Sequence, residues 1–259
     1  MKILTDNVKK PFTLIDADLY LYRAAAAAEE ETDWGDDIWS LSTDLKEAKA
    51  IFENFLDETE ARLKNNNFIL CLTDGKNFRK EIDPLYKSNR RKVRKPVGYK
   101  ALVDWAKFHW QWWSEPFMEA DDVMGILSTV PGSAATVVSD DKDLKSIPGR
   151  LYRPMTDEIL EITEDQANRW FYTQTLTGDA TDGYVGLKGC GPKTAEKILG
   201  SRPEWSLVER AYVKAGLTPA DALQQARMAR ILRFTEWDTE TATIKLWEPK
   251  HDNIISLAR

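Results

Sequence analysis

The sequence predicts an α/β fold, in which a central, mostly parallel sheet is flanked by helices and followed by a mainly helical C-terminal part. Over the first 150 of the 259 residues, short apolar runs of strand length alternate with segments of helical periodicity. After residue 150 the pattern becomes mostly helical. We therefore predict a core over residues 1–150 and a second part over residues 151–259 that packs on it, since no low-complexity linker separates the two.

Three apolar runs are predicted to be buried strands of the sheet. They cover residues 12–15, 68–72 and 135–138, and within three positions each leads into acidic residues, namely Asp16, Asp74, and Asp140 with Asp141. In an open α/β sheet the carboxyl ends of the strands form the edge at which ligands bind. The sequence thus predicts an acidic site at this edge.

Helical spacing of apolar residues predicts three helices in the first half of the chain. One covers residues 45–63, with Ser42 and Thr43 as candidate caps. Residues 99–113 have helical length and are apolar nearly all round, which favours packing in the interior. A third helix continues from Glu119 to about residue 130.

The second part begins with a predicted hairpin over residues 151–162, which turns near Asp157. Thr163 and Gln166 then form a capping box at the start of a helix. A further helix is predicted to begin at Pro219, because proline is favoured in the first turn. These signals indicate a series of helices after the hairpin.

The composition excludes several classes of protein. No stretch approaches 18 uninterrupted apolar residues, and the first residues lack the basic-then-apolar pattern of a signal peptide. Cys71 and Cys190 are the only cysteines, and His109 and His251 are the only histidines. This usage fits a reducing cytoplasm and argues against a disulfide framework, zinc chemistry and a Ser-His-Asp triad. Any hydrolysis must therefore depend on carboxylates, in a protein that we expect in the cytoplasm and not at a membrane.

Charge is strongly segregated along the chain. The net charge is −6, but residues 76–100 contain ten basic and two acidic residues, which leaves −14 for the rest. A basic segment on an acidic body suits a protein that contacts phosphates in one place and holds metal cations in another. Tyr86 and Tyr99 lie in this segment and would offer faces for stacking on bases. The alternative interpretation is a solvated charged loop.

Nine acidic residues form five clusters, each at a predicted strand end or helix start. So many carboxylates repel one another unless cations neutralise them, and hard oxygen ligands select Mg²⁺ or Mn²⁺ over zinc. Two such ions roughly 4 Å apart would hold the attacking and leaving oxygens of a phosphodiester. The candidate ligands are Asp16; Asp74; Glu119, Asp121 and Asp122; Asp141 and Asp143; and Asp179 and Asp182.

The spacing within these clusters leaves some assignments open. Glu119 and Asp122 would share one face of a helix, whereas Asp121 would point elsewhere. Either Glu119 precedes the helix, or Asp121 or Asp122 acts through water. Asp140 is expected on the solvent side of its cluster, and Asp18 fits a helix cap as well as a ligand.

A glycine-rich segment, residues 186–195, lacks the pattern of a phosphate-binding loop, because Pro192 separates Gly191 from Lys193. We predict a helix, a tight glycine hairpin and a second helix that begins at Pro192. The backbone N–H groups of such a turn bind a DNA phosphate regardless of sequence. An ordinary helix–helix turn is the alternative, but the acidic pair just upstream favours the functional interpretation.

These motifs resemble those of the 5′-nuclease (flap-endonuclease-like) superfamily, and more closely those of the 5′-to-3′ exonucleases of short-tailed lytic phages. The likeness runs from residue 12 to about residue 249. One departure is Ala17-Asp18, where many relatives have glycine and a small polar residue. The likeness is carried by Leu14-Ile15-Asp16, Tyr22-Arg23, Thr73-Asp74, Phe78-Arg79, residues 84–90, Glu119-Ala120-Asp121-Asp122, Ser139-Asp140-Asp141-Lys142-Asp143, Gly178-Asp179-Ala180-Thr181-Asp182, the glycine segment and residues 225–234.

The resemblance implies a PIN-like core, a helical arch over about residues 76–113 and a helix-hairpin-helix variant over about residues 178–200. It also implies two Mg²⁺ ions, for which Mn²⁺ would substitute, and a K⁺ ion at the glycine turn. The implied catalytic residues, acting at the scissile phosphate, are Lys87, Arg79 and Arg23. The implied DNA contacts are Tyr86, which would stack on the terminal base, and Arg90, Gly189, Gly191, Lys193 and Thr194.

The expected activity is Mg²⁺-dependent 5′-to-3′ hydrolysis of duplex DNA near its 5′ ends, leaving 5′-phosphates. The resemblance further implies removal of RNA from RNA–DNA hybrids, in the cytoplasm of an infected host cell if the protein is phage-encoded. A flap endonuclease or a toxin-like ribonuclease remains an alternative, which depends on whether the arch threads a free strand. A nuclease-like module that binds DNA without cutting it is the other alternative, although such a module has no need for so many carboxylates.

Overall fold

The computed structural model describes residues 10–89 and 94–249 and has a six-stranded sheet at its centre. No helix in this part of the chain is long and apolar enough to cross a membrane. In chain order the strands are β1 (Phe12–Asp16), β2 (Glu29–Asp33), β3 (Trp39–Thr43), β4 (Phe68–Cys71), β5 (Trp112–Trp113), β6 (Ala135–Val138), β7 (Gly149–Arg153), β8 (Glu158–Ile162), β9 (Trp237–Asp238) and β10 (Thr243–Ile244). The α-helices are α1 (Ala17–Ala27), α2 (Leu45–Leu63), α3 (Arg79–Ile82), α4 (Tyr99–His109), α5 (Ala120–Ser128), α6 (Glu164–Thr177), α7 (Pro192–Leu199), α8 (Trp205–Lys214) and α9 (Pro219–Ala229).

The central sheet has the strand order β5-β4-β1-β6-β7-β8. β1 pairs in parallel with both β4 and β6, β5 and β7 extend the parallel set, and β8 runs antiparallel to β7. The three predicted strands are therefore confirmed as neighbours, and their carboxyl ends meet at one edge of the sheet.

Two apolar cores cover the two faces of the sheet. Every residue of β1 and β4 is buried, as expected for strands enclosed between helices. Successive side chains of β1 point to opposite faces, so Leu14 packs with Val123 of α5 in one core and Ile15 packs with Phe52 of α2 and Leu102 of α4 in the other. The predicted α/β class with flanking helices is confirmed.

The sheet extends across the predicted division at residue 150. β7 and β8 form the predicted hairpin, with Asp157 in a left-handed turn (φ 50°), and both belong to the central sheet. The mainly helical part therefore begins at α6. After α9 the chain returns to the core, where Ile231 and Leu232 pack in the same cluster as α5.

Local sequence signals predicted several helix starts correctly. The capping box that opens α6 is present, and α7 and α9 begin at Pro192 and Pro219. The start of α2 differs from the prediction, because Asp44 caps the helix and not Ser42 or Thr43. The Asp44 carboxylate accepts hydrogen bonds from two N–H groups of the first turn, at 2.8 and 3.1 Å.

The predicted arch over residues 76–113 lies largely within the body of the protein. α4 buries Leu102 in the core that it shares with α1 and α2, and the chain leaves the helix after His109 to pair as β5 with β4. The predicted helix over this stretch is therefore too long. Residues 90–93, which include the predicted DNA contact Arg90, lie outside the described residues.

β2 and β3 were not predicted from the sequence. They form an antiparallel two-stranded sheet between α1 and α2. β2 consists of acidic residues and one threonine, so it lacks the apolar alternation that marks a half-buried strand. In β3, Trp39 and Leu41 alternate with serines, a short strand signal that the prediction missed.

Candidate active site

A cleft of about 480 Å³ lies at the carboxyl edge of the sheet, next to the ends of β1, β4 and β6. A larger cavity of about 760 Å³ is lined by none of the predicted metal ligands. The acidic cleft is therefore the candidate active site. Six of the nine predicted ligands line it, namely Asp16, Asp74, Glu119, Asp121, Asp141 and Asp182.

Asp16 ends β1 and caps α1, which places its carboxylate at the edge of the sheet. It accepts hydrogen bonds from the N–H of Leu19 at 3.3 Å and from the hydroxyl of Ser139 at 2.6 Å. Ser139 follows β6, the parallel neighbour of β1, so the sheet register brings the two residues together. Burial raises the pKa of Asp16 to about 7; the Ser139 bond opposes this rise, and the charges of Asp18 and Asp141 add to it.

Asp121 and Asp141 lie close enough to Asp16 for the three charges to interact. Burial, followed by the charges of Asp16 and Asp141, raises the pKa of Asp121 well above its usual range. Asp141 caps a short 3-10 helix, and its carboxylate accepts the N–H of Asp143 at 2.9 Å. Three carboxylates from three elements thus repel one another in a partly desolvated site, which favours a cation among them.

Asp74 and Asp18 also line the cleft, and both are held by the backbone. The Asp74 carboxylate accepts the N–H of Phe117 at 3.0 Å, and this bond is the main cause of a lowered pKa. Asp18 accepts the N–H of Thr73 at 2.7 Å and the hydroxyl of Tyr99 at 2.8 Å. Asp18 therefore fastens α1 to the chain before Asp74 and to α4.

Lys87 places its ammonium group between two predicted ligands. Its Nζ is 2.5 Å from Glu119 and 3.5 Å from Asp182. Burial raises the pKa of Glu119, but the charges of Lys87 and Arg79 outweigh this effect and lower the pKa to about 2. Glu119 and Lys87 are thus held in the cleft as a charged pair.

A second lysine, Lys142, bridges another pair of predicted ligands beside the cleft. Its Nζ is 2.8 Å from Asp143 and 2.7 Å from Asp179. Burial and the charge of Asp141 raise the pKa of Asp143 to about 6, against the opposing effect of Lys142. Burial also raises the pKa of Asp179, but Lys142 outweighs it and the pKa is lowered. The sequence did not predict a site role for Lys142, although it lies within an acidic motif.

Two glycines determine the position of Asp179 and Asp182. Gly178 (φ 68°) and Gly186 (φ 61°) pack backbone to backbone, and a Cβ on Gly186 would come within 2.3 Å of the Gly178 nitrogen. The loop between them is closed by the N–H of Asp179, which donates to the carbonyl of Tyr184 at 2.9 Å. A side chain at either glycine would therefore open the loop that carries both aspartates.

The structure contradicts the prediction for Arg79 and Asp122, which were expected at the phosphate and at a metal. Their side chains are 3% and 0% exposed, and the guanidinium donates to both Asp122 oxygens at 2.7 Å. Arg79 also donates to the carbonyls of Met228 and Arg230, and Asp122 accepts the N–H of Leu232. The pair therefore joins α3, α5 and the chain after α9, and leaves no open face for a ligand.

The position of the pair also answers the question about the motif at residues 119–122. Glu119 is the N-cap of α5 and so precedes the helix. This is the first of the two arrangements that the sequence left open. Asp121 lines the cleft, whereas Asp122 is committed to Arg79.

Tyr86 is buried as well, so it does not stack on a terminal base as predicted. It is 2% exposed, and its ring packs in an apolar cluster with Phe171 and Tyr184. Its hydroxyl is 2.8 Å from Glu119 and 3.2 Å from Asp182. Tyr86 therefore positions these two carboxylates.

Arg23 and Asp140 form an ion pair with an N–O distance of 2.5 Å. Neither residue lines the cleft. Asp140 also accepts the hydroxyl of Tyr20 at 3.2 Å and the N–H of Met155 at 2.9 Å. Its side chain is 6% exposed, so the prediction that it faces solvent is wrong. A contact between Arg23 and a phosphate stays a prediction.

The glycine turn lies in the connection between α6 and α7, residues 178–191, which is longer than the tight hairpin that was predicted. Gly189 (φ 78°) and Gly191 are exposed, and a Cβ on either would meet nothing within 4 Å. Lys193 and Thr194 are exposed in the first turn of α7. The backbone of the turn is therefore open to an approaching ligand.

Tyr22 and Lys95 line the cleft but were not predicted as site residues. Lys95 is exposed, and its Nζ lies 4.4 Å from the centre of the Tyr99 ring at the cleft wall. Tyr22 is 37% exposed and offers an aromatic face there. A signal for Tyr22 was present, because Asp18 and Tyr22 are four residues apart on α1 and so share one face.

The donors of the cleft fit a hard divalent cation. They are carboxylate oxygens, and no histidine or cysteine lines the described cleft, which suits Mg²⁺ or Mn²⁺ better than zinc. Within residues 10–89 and 94–249, no three acidic, histidine or cysteine side chains are grouped to hold a metal ion as they stand. Lys87 and Lys142 lie among the carboxylates instead, so a bound ion requires some of these side chains to rotate.

The architecture defines a class, the 5′-nuclease fold. It matches the solved structure of the flap endonuclease of bacteriophage T5, a pseudo-enzyme-product complex with DNA and metal ions, with a TM-score of 0.60. The match covers 85% of this chain and 89% of that one at 13% identity, so it establishes the shared fold. The predicted PIN-like core is confirmed at this level.

Sequence comparison establishes the family. The model for the 5′-3′ exonuclease, N-terminal resolvase-like domain, matches residues 11–169. The chain is 34% identical to the exonuclease of Escherichia phage T7, over 93% of this chain and 94% of that protein. It is 33% identical to the exodeoxyribonuclease of Enterobacteria phage T3, again over 93% and 94%. The chain belongs to the 5′-3′ exonuclease family and is a nuclease, a hydrolase, as the sequence motifs predicted.

Proposed function

We propose that this protein is a Mg²⁺-dependent 5′-to-3′ exonuclease that hydrolyses duplex DNA from its 5′ ends and leaves 5′-phosphates. The observation that carries the proposal is the group of three mutually repelling carboxylates, Asp16, Asp121 and Asp141, in a cleft that also holds Lys87. The match to the 5′-3′ exonuclease family model supports the polarity, and the phage relative named exodeoxyribonuclease supports a DNA substrate. The T5 nuclease, solved with DNA and metal ions, supports the use of a cation.

In this proposal the carboxylates hold two Mg²⁺ ions, and the chain's other groups position the substrate. Bound Mg²⁺ supplies an acidified water and offsets negative charge on the phosphate. Lys87 adds a fixed positive charge in the cleft, where charge develops during hydrolysis. Tyr22, the exposed aromatic side chain of the cleft, contacts the terminal nucleotide. The ligands are Asp16, Asp74, Asp121, Asp141, Asp143 and Asp179, with Glu119 and Asp182 held by Lys87 in support.

Metal removal tests the proposal directly. A duplex labelled at the 5′ end is compared with one labelled at the 3′ end, with and without Mg²⁺. We expect early release of short 5′-labelled fragments in Mg²⁺, no cleavage in EDTA, recovery in Mn²⁺ and little activity in Zn²⁺, because the donors are all hard oxygens. Cleavage that survives thorough chelation, or cuts that are mainly internal, would contradict the proposal.

The proposal extends to RNA–DNA hybrids, to K⁺ and to the host cytoplasm, on the basis of the family resemblance. The same assay with a 5′-labelled RNA strand paired to DNA is expected to release short RNA fragments. Duplex affinity is expected to be higher in K⁺ than in Li⁺ at equal ionic strength, if the turn at Gly189 and Gly191 holds K⁺ against the backbone. Equal affinity in the two salts would remove K⁺ from the proposal.

Lys87→Ala is expected to lower the single-turnover rate by roughly 100-fold or more, with little change in duplex affinity. The reason is that its charge acts inside the cleft, where negative charge develops in the transition state. Rates are measured under saturating enzyme, and affinity is measured in Ca²⁺.

Lys95→Ala is the matched control, because Lys95 lines the same cleft but is exposed at its wall. We expect a change in rate of less than about threefold. If both variants lose affinity equally and neither loses rate, Lys87 is part of a simple electrostatic patch.

Lys193→Ala is expected to weaken binding to every DNA sequence alike and to reduce the slope of log affinity against log salt by about one unit. Lys193 lies in the open first turn of α7, where a lysine and backbone N–H groups would meet one phosphate. Lys197→Ala, in the last turn of the same helix, is the control and should leave the slope unchanged. An unchanged slope for Lys193→Ala would mean that the glycine turn only connects α6 to α7 and does not bind a DNA phosphate.

A further inference from the structure

The two-stranded sheet between α1 and α2 exposes large apolar side chains on both sides. This acidic hairpin, residues 29–43, consists of β2, β3 and the turn between them, and residues 30–40 are all exposed. Trp34 is 69% exposed, Ile38 61% and Trp39 58%. An isolated two-stranded hairpin is only marginally stable in water, so a covering partner would stabilise it.

The base of the acidic hairpin is anchored firmly to the body. Glu29 accepts both guanidinium N–H groups of Arg94, at 2.6 and 2.8 Å, and the N–H of Val97 at 2.7 Å. Thr43, on the partner strand, accepts the N–H of Gly98 at 2.9 Å. The hairpin is therefore held in a defined direction, with its apolar tip away from the anchor.

The strand register places apolar and acidic side chains side by side. Leu41 lies opposite Glu31, and Trp39 lies opposite Asp33, so these four share one face. At the tip, the Trp34 indole N–H donates to the hydroxyl of Ser40 at 2.9 Å, which limits its rotation. Ser40 pairs with Thr32 and faces the side opposite Trp39. The hairpin end thus exposes Trp39 on one side and holds the Trp34 indole against the other, with carboxylates beside both.

Charge determines which partner fits this surface. Residues 29–44 contain seven acidic residues and no basic residue, and Arg94 forms an ion pair with Glu29 at the base of the hairpin. Such a surface repels the phosphates of DNA. We propose that the acidic hairpin is a docking surface for a basic protein partner, an amphipathic helix whose apolar side chains cover Trp34 and Trp39 and whose lysine and arginine side chains lie beside the carboxylates. Buried indoles supply the affinity, and the surrounding charges supply the specificity.

A labelled amphipathic helical peptide of leucine and lysine is the probe, and a peptide in which glutamate replaces lysine is its control. Binding to the full-length protein is measured by fluorescence anisotropy at low and high salt. The variants are W34S/W39S, which removes the indoles, and E30Q/E31Q/D33N, which removes charge. F108S is the matched control, because Phe108 on α4 is 85% exposed but lies outside the hairpin.

We expect each hairpin variant to weaken binding of the leucine–lysine peptide by about tenfold, and F108S by less than about twofold. High salt should weaken the wild-type complex, and the leucine–glutamate peptide should not bind. The proposal is wrong if both hairpin variants bind like the wild type. It is also wrong if W34S/W39S loses affinity for duplex DNA, or if it abolishes self-association in sedimentation, because the hairpin would then contact DNA or a second copy.

Discussion

Replacing Asp141 by asparagine is expected to lower the single-turnover rate of duplex cleavage by roughly a thousandfold, which corresponds to about 4 kcal/mol of transition-state stabilisation. Asp141 is one of three carboxylates whose charges interact in the cleft, and asparagine removes its charge without changing its shape. The amide oxygen still accepts the N–H of Asp143, and asparagine is a good cap for the short helix that follows. The fold should therefore be retained while metal binding is lost.

Two further measurements distinguish this mechanism from general damage. Titration with Mn²⁺ in the absence of DNA should show weaker binding to Asp141→Asn than to the wild type. Duplex affinity without divalent ions should stay the same or rise, because one repulsive charge has left the cleft. Both readouts are independent of turnover.

Asp104→Asn is the control for the loss of one carboxylate. Asp104 pairs with Lys100 on the surface of α4, where both side chains are largely exposed. Its rate, metal affinity and duplex affinity should match those of the wild type. If Asp141→Asn cleaves DNA as fast as Asp104→Asn, the acidic cleft is not the catalytic centre.

The acidic cleft was predictable because its parts obey local rules. Asp16 and Ser139 each follow an apolar run, and parallel strands bring such positions to one edge whatever the intervening sequence. The glycine pair around Asp179 carries a similar signal, because only glycine tolerates the close approach of the two backbones.

The roles of Arg79 and Tyr86 were not predictable, because they depend on partners that are distant in the sequence. Arg79 lies in a strongly basic segment, which suggested a phosphate contact. Its partners are the carboxylate of Asp122, on α5, and two carbonyls near the end of α9. No local pattern distinguishes a basic side chain that faces the cleft, such as Lys87, from one that is buried, such as Arg79.

The same limit explains why the acidic hairpin was not predicted. β2 carries no apolar residue, and β3 carries only Trp39 and Leu41, of which Trp39 is exposed and Leu41 half-buried, so the hairpin has almost no buried apolar face to reveal it. Backbone pairing and the anchor at Glu29 define it instead.

Replacing Arg79 by methionine is expected to destabilise the protein by roughly 3–5 kcal/mol, since it leaves the buried carboxylate of Asp122 without a counter-charge. Two carbonyl acceptors also lose their donor. Asp122→Asn should have a similar effect from the opposite side, because a neutral amide does not accept the paired bonds of the guanidinium. Stability is measured by urea denaturation followed by circular dichroism.

The double variant R79M/D122N is expected to be less destabilised than the sum of the two single variants by about 2 kcal/mol or more, because it removes both buried charges together. Lys100→Ala is the control, because it breaks an exposed ion pair with Asp104. It should change the free energy of unfolding by less than about 1 kcal/mol. If R79M instead keeps the wild-type stability and loses only cleavage rate, then Arg79 acts at the phosphate, as the sequence suggested. We expect both single variants to lose stability and the double variant to recover part of it. That result would show that the pair holds α3, α5 and the segment after α9 together, and so supports Glu119 and Asp121 beside it.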